Sequence, residues 1–217
     1  MRENKIYFVD VTNRDGVQTS RLGLAKLQKT IINLMLDDMG ITQSEFGFPT
    51  TQHEINYLNG NLELVERGVI SRTRLSGWMR GIADDVELSF KNVPKLKYIN
   101  LSQSTSEQMI NGKYLGKKTP QDIINMTCEA VECAKSLGAV DVGVNAEDAS
   151  RSDIDFLIKY ANEAKKAGAK RFRYCDTLGY EDPQTTYERI YKIAKETEMP
   201  LEMHFHNDLG MATACSV

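Results

Sequence analysis

Apolar positions along the chain follow two periods that alternate. Residues 5–12 (KIYFVDVT) read as a buried strand, whereas 22–39 bring Leu24, Leu27, Ile31, Leu34, Met35 and Met39 back at helical spacing. Gly40 stops that helix. The unit then recurs: strand 41–48 and helix 52–69, strand 73–80 and helix 83–91, strand 96–102. A polar connection, 103–118, leads to a helix with Thr119 as N-cap, Pro120 in its first turn and Gly138 after its end. Strand 139–146, helix 152–167, strand 170–176, helix 183–197 and strand 200–206 follow, and MATACSV (211–217) reads as the opening of a seventh helix. Seven strands alternating with six helices predict a parallel sheet with right-handed crossovers.

The last strand chooses between a barrel and an open sheet. Side chains alternate along a strand, so Leu201, Met203 and Phe205 share one face and Glu202, His204 and His206 the other. A central strand of an open sheet is covered by helices on both faces, while a barrel strand can turn a polar face into the mouth. The expectation is therefore an α/β fold, a TIM (β/α)₈ barrel that is incomplete, with seven strands and no last β/α unit. At 217 residues the chain is short of the roughly 250 typical of this fold. An unclosed barrel leaves two sheet edges, a liability that points to a fragment, a truncated gene or one half of a split enzyme.

Composition narrows the class. The apolar share of 41% and charged share of 26% are those of a globular domain, with no run near the roughly 18 apolar residues of a membrane span. The N-terminus lacks the regions of a signal peptide, so a cytoplasmic protein is expected. Cys128, Cys133, Cys175 and Cys215 form no C-x-x-C pair and are expected as reduced thiols. A net charge of −3 offers no basic footprint for nucleic acid.

Polar residues cluster where each predicted strand ends: Arg14, Asp15 and Gln18; Glu45; Trp78 and Arg80; Ser102 and Ser104; Asn145 and Glu147; Asp176 and Thr177; His204, His206, Asn207 and Asp208. In a barrel these ends meet at one rim, where active sites of this fold are found. His204 and His206, about 7 Å apart along the strand, can converge on one ion. Taken alone, the pair is a weak signal that fits hydrogen-bonded histidines of a polar strand better than a metal face. Asp15 beside Arg14 reads as a turn aspartate or an ion pair, Asp148 and Ser150 as N-caps of the next helix, and Trp78 as packing.

Five segments carry more. DVTNRDGVQ (10–18), SEFGFP (44–49), NAEDASRSD (145–153), RYCDTLGY (173–180) and HFHNDLG (204–210) resemble, in order and spacing, the strand-end motifs of the DRE-type TIM-barrel metallolyases, the HMGL-like superfamily. That group includes homocitrate synthase, 2-isopropylmalate synthase, citramalate synthase, Re-type citrate synthase and hydroxymethylglutaryl-CoA lyase. The resemblance covers essentially the whole chain and implies one catalytic, pyruvate carboxyltransferase-like barrel domain over 1–217, truncated in helix 7.

By position, the resemblance implies Asp15, His204 and His206 as metal ligands, Arg14 as the group polarising a substrate carbonyl, and Glu45 as a second catalytic residue. Gln18, Arg80, Asn145, Glu147 and Thr177, with Arg14, are implied to bind substrate, and Ser150 to line the pocket. The implied reaction is an acyl transfer in which acetyl-CoA condenses with a 2-oxo acid, with a divalent metal as cofactor: Mn or Mg, then Zn, Fe or Co. A homodimer or a complementing C-terminal subunit is the implied partner. Asn13 and Val17 depart from the usual Leu and Glu and bring the chain nearest to Re-type citrate synthase and adjacent homocitrate synthases, so oxaloacetate and 2-oxoglutarate are the expected acceptors. Gly143 stands where the fungal homocitrate synthases carry an arginine for the distal carboxylate, so that clamp is not carried over. Other readings are a 2-isopropylmalate or citramalate synthase, a hydroxyacyl-CoA lyase, and a non-catalytic half of a split synthase.

Overall fold

A computed structural model describes residues 6–217. The elements in chain order are β1 (Val9–Asp10), α1 (Lys26–Met39), β2 (Gln43–Gly47), α2 (Gln52–Glu66), β3 (Arg74–Arg80), α3 (Ala83–Asn92) and β4 (Tyr98–Ser104). They continue with α4 (Glu107–Tyr114), α5 (Pro120–Ser136), β5 (Asp141–Glu147), α6 (Ile154–Ala167), β6 (Arg171–Asp176), α7 (Pro183–Thr197), β7 (Leu201–Phe205) and α8 (Ala212–Ser216). The strands are ordered β1 to β7 as in the chain, and β1–β2, β2–β3, β5–β6 and β6–β7 pair in parallel. This is the expected α/β pattern, seven strands in chain order alternating with helices as in an incomplete TIM (β/α)₈ fold.

Three expectations need correction. The first strand is Val9–Asp10 rather than 5–12: Ile6, Tyr7 and Phe8 are exposed, and Lys5 lies outside the described residues. Immediately after it the Val11 carbonyl accepts N–H groups from Arg14, Asp15 and Gly16, which curls the chain out of the strand. Helix α1 begins at Lys26, not 22, where the Gln28 side chain accepts the Ala25 N–H. The polar connection holds a helix, α4, whose N-cap Ser106 accepts the Met109 N–H. Elsewhere the caps agree: Thr119 accepts the Asp122 N–H, Pro120 opens α5, and Gly40 and Gly138 take positive φ.

The chain divides into two compact units, Met1–Met79 with Leu88–Ile99, and Arg80–Glu87 with Asn100–Val217. In the first, α1 reverses the expected amphipathicity. Its apolar row Leu27, Ile31, Met35 and Met39 is exposed, and the buried side is Lys29, Asn33, Leu36 and Asp37. Those polar groups are satisfied. Asn33 Nδ2 donates to Tyr57 Oη (2.8 Å) and Asn61 Oδ1 (3.0 Å), while its Oδ1 accepts from Ser44 Oγ and Asn13 Nδ2. Lys29 pairs with Glu54 at 2.8 Å. In the second unit the outward residues of β5 and β6 (Val142, Val144, Phe172, Tyr174) are buried, with Tyr160 of α6 edge-on to Phe172.

Asp37 fixes the entry to β3. Its carboxylate accepts the backbone N–H groups of Ser71 (3.1 Å), Arg72 (2.7 Å) and Thr73 (2.7 Å). Burial pushes its pKa up, but the three N–H donors and the Arg72 charge outweigh that and hold it below the ordinary carboxylate value. Asp37→Ala should therefore cost roughly 2–4 kcal/mol of stability at pH 7. A carboxyl whose folded pKa is depressed stabilises above its unfolded value of about 4, and the contribution fades as pH falls through the folded value. Urea melts of wild type and Asp37→Ala should differ most near pH 7 and draw together in acid.

Candidate active-site and metal-binding residues

In the first unit the turn after β1 presents Arg14 and Asp15. Asn13 anchors it, donating from Nδ2 to the Lys29 carbonyl and to Asn33 Oδ1, both at 2.9 Å. Arg14 Nε donates to the fully buried Glu45 of β2 at 2.6 Å, and Nη1 lies 3.3 Å from Asp15 Oδ1. The guanidinium also rests 5.3 Å from the centre of the Trp78 ring, which is braced edge-on by Phe48. An arginine held by a carboxylate and an aromatic face has one orientation. Gln18 lies exposed in the 3₁₀ turn Gly16–Gln18.

In the second unit the inward row of β7 rises from Glu202 through His204 to His206. The two Nε2 atoms lie 3.3 Å apart, within hydrogen-bond distance of each other, with their rings near perpendicular. The turn beyond is braced by backbone bonds from His206 N to Asp176 O (3.1 Å) and Leu209 N to Gly179 O (3.3 Å). Gly179 has φ +63°, and a Cβ there would meet the His206 carbonyl at 2.8 Å, so glycine is required for this approach.

Beneath the histidines, Glu202 accepts from Arg171 Nε (2.5 Å) and Arg173 Nε (2.8 Å). Burial opposes its ionisation, but the charges and hydrogen bonds of Arg173 and Arg171 hold its pKa below the ordinary value. Arg171 also pairs with Asp141 and donates to Asn100 Oδ1 at 2.9 Å. The Arg171–Asn100 bond crosses above Gly143, where a Cβ would collide with Asn100 Oδ1 and come within 2.9 Å of Arg171 Nη2. The position from which the sequence withheld an arginine clamp is thus filled by the guanidinium of the next strand.

The remaining predicted residues divide. Glu147 accepts from Ser104 Oγ at 2.6 Å and lies 3.6 Å from Lys113 Nζ of α4. Asn145 is buried with its Oδ1 lacking a hydrogen-bond partner among the described residues, and Thr177 is half-buried after β6. Arg80 is committed to a two-point pair with Asp85 of α3 at 2.6 and 2.8 Å. Ser150 is buried in the turn Ala149–Arg151, and Asp148 accepts from Ser106 and Arg151. Neither caps α6, whose N-cap is Asp153. Sequence reasoning missed Lys113, hidden in a connection read as coil, and gave Trp78 no role. The one signal for Asn13 was its departure from the usual leucine.

The HMGL-like family model matches residues 5–217. The chain belongs to the HMGL-like family. Among curated relatives of this HMGL-like chain, the citrate (Re)-synthase of Dehalococcoides mccartyi is 58% identical over 213 residues, covering 98% of this chain and 51% of that protein. Homocitrate synthase 1 of a Nostoc species is 31% identical, covering 97% and 54%. The chain spans about half the length of the curated relatives it matches. Hydroxymethylglutaryl-CoA lyase from Pseudomonas aeruginosa shares the fold, with a TM-score of 0.78 at 19% identity over 97% of this chain and 71% of that one.

Gly143→Ala should break the Asn100–Arg171 bond and lower stability by roughly 1–3 kcal/mol. Urea denaturation of the variant measures it, and a melt indistinguishable from wild type would refute this account of the glycine.

Proposed function

We propose that this HMGL-like chain supplies the acceptor side of an acetyl-CoA-dependent synthase, with oxaloacetate as acceptor and citrate as product. The observation that carries the reading is the pair of imidazole nitrogens converging at 3.3 Å on β7, in a chain 58% identical to a citrate (Re)-synthase. The homocitrate synthase relative supports 2-oxoglutarate as the next acceptor to test.

In this reading the family motifs make Asp15, His204 and His206, one carboxylate and two imidazoles, the residues that would hold a divalent ion. Such mixed ligation suits Mn, Zn, Fe or Co, and Mg where waters complete the shell. When bound, the ion supplies Lewis-acid stabilisation of negative charge on the acceptor's keto oxygen. In this reading Arg14, oriented by Glu45 and Trp78, donates hydrogen bonds to the same oxygen as charge develops there. The methyl carbon of acetyl-CoA, after losing a proton, bonds to the keto carbon. The carbonyl electron pair becomes the product hydroxyl on protonation, and water cleaves the thioester to release CoA. In this reading Gln18, Arg80, Asn145, Glu147 and Thr177 are the further residues that bind the acceptor.

The exposed row Leu27, Ile31, Met35 and Met39 supports the further element that this surface meets another polypeptide, as a homodimer or a complementing C-terminal subunit.

Titration calorimetry with MnCl₂ should give one site whose affinity falls by at least about tenfold in His204→Ala. CoA release should be fastest with oxaloacetate among oxaloacetate, 2-oxoglutarate, 2-oxoisovalerate and pyruvate. Unchanged Mn binding in His204→Ala would sink the metal assignment, and a preference for pyruvate or 2-oxoisovalerate would sink the acceptor assignment.

A further inference from the structure

The first unit has a second feature suited to a ligand, at the N-terminal ends of β3 and β4, apart from Arg14 in the turn after β1 and its partner Glu45 in the middle of β2. A groove of about 520 Å³ opens there, within the range of small-molecule sites. One wall is apolar, from Leu62 and Val65 of α2 with Ile70 and Pro94. The other is cationic, from Arg72, Arg74, Lys95 and Lys97, and the single acidic residue lining the groove, Glu66, is paired with Lys95 at 2.5 Å.

The cationic wall is built rather than loose. Asp37 pins the backbone of residues 71–73 through three N–H bonds, and Thr73 is tied by its hydroxyl to the Ile41 carbonyl at 2.7 Å. Thr73 is buried, and the arginines on either side of it, Arg72 in the bend and Arg74 at the start of β3, are exposed and both line the groove. Arg74 is further steadied over the Tyr98 ring, 5.6 Å from its centre. Among the described residues Arg72, Arg74 and Lys97 make no ion pair within 4.0 Å; the Asp37 carboxylate acts on Arg72 from behind the wall, and Glu66, the one acid lining the groove, is taken by Lys95, so the groove keeps an excess of positive charge. Like charges held together on a fixed scaffold repel, and a polyanion bound between them relieves that repulsion.

We infer that this groove binds a small organic polyanion, its carboxylate or phosphate groups on Arg72, Arg74 and Lys97 and its carbon frame against Leu62 and Val65. The inference is independent of the metal site. The apolar wall separates this site from a bare phosphate patch, because it favours an anion with a hydrocarbon or ring portion over an inorganic ion.

Titration calorimetry on the chain without added metal, with citrate in one arm and adenosine diphosphate in the other, tests it at fixed ionic strength. At least one probe should bind with a stoichiometry of one. Which arm responds distinguishes a carboxylate from a phosphate ligand, and both responding supports the shared polyanion chemistry. The double variant Arg74→Glu with Lys97→Glu alters exposed side chains and should stay folded, which its urea melt checks, yet weaken binding by at least about tenfold. Binding should survive in His204→Ala. No saturable binding of either probe below about 10 mM would overturn the inference, as would affinity unchanged in the double variant or abolished in His204→Ala.

Discussion

Charge turned into the interior of this fold has to be matched inside it. In the second unit the inward faces of β5, β6 and β7 bring Asp141, Arg171, Arg173 and Glu202 together, two of each sign, bridged at 2.5–2.8 Å wherever Glu202 meets an arginine. An unpaired charge in such a place costs several kcal/mol, so these groups constrain one another and, through one another, the strands. Glu202 is two residues below His204, and its two arginines fix the height and twist from which the histidine pair is presented. The floor is therefore a positioning device as well as a structural one.

The first unit meets the same constraint with the pairs Arg14–Glu45 and Lys29–Glu54 and with a set of buried amides. Asn13, Asn33 and Asn61, with Ser44 and Tyr57, form a connected network between the turn after β1, helix α1, strand β2 and helix α2. A network satisfied at nearly every atom specifies one arrangement, because any shift leaves a buried polar group unmet. Arg14 and Asp15 follow Asn13 directly. Their geometry rests on an asparagine whose own contribution is an anchor, while Glu45 and Trp78 orient the guanidinium from β2 and β3.

Periodicity made the alternation of strand and helix legible, and Thr119-Pro120 and Gly138 marked α5 to the residue. Helix α4 was not legible: EQMINGKY carries one buried residue, Ile110, and its stop is Leu115 in a left-handed conformation rather than a glycine. With it went Lys113, the cation nearest Glu147. Asp148 had the composition of a cap but takes φ +61° and faces Ser106 and Arg151, leaving the cap to Asp153, five residues on. Motif order pointed to Arg14, Glu45 and the histidines because their residue types follow from their chemistry. It was silent on Trp78 and on the Arg171–Asn100 crossing, since these depend on which side chains meet across strands.

Helix α1 shows where a correct period gives a wrong face. A hydrophobic repeat reports that a segment is helical, and the usual inference adds that the apolar side points inward. Here the inner side must supply Lys29 to Glu54, Asn33 to the amide network and Asp37 to the entry of β3, three tasks that apolar side chains cannot perform. The same helix thus supports the Arg14–Asp15 turn at one end and the cationic groove at the other, through Asn33 and Asp37, one turn apart. Its row Leu27, Ile31, Met35 and Met39 is left on the outer side, so Lys29, Asn33 and Asp37, with Leu36 alone of the buried side being apolar, tie the helix to the first unit's chemistry.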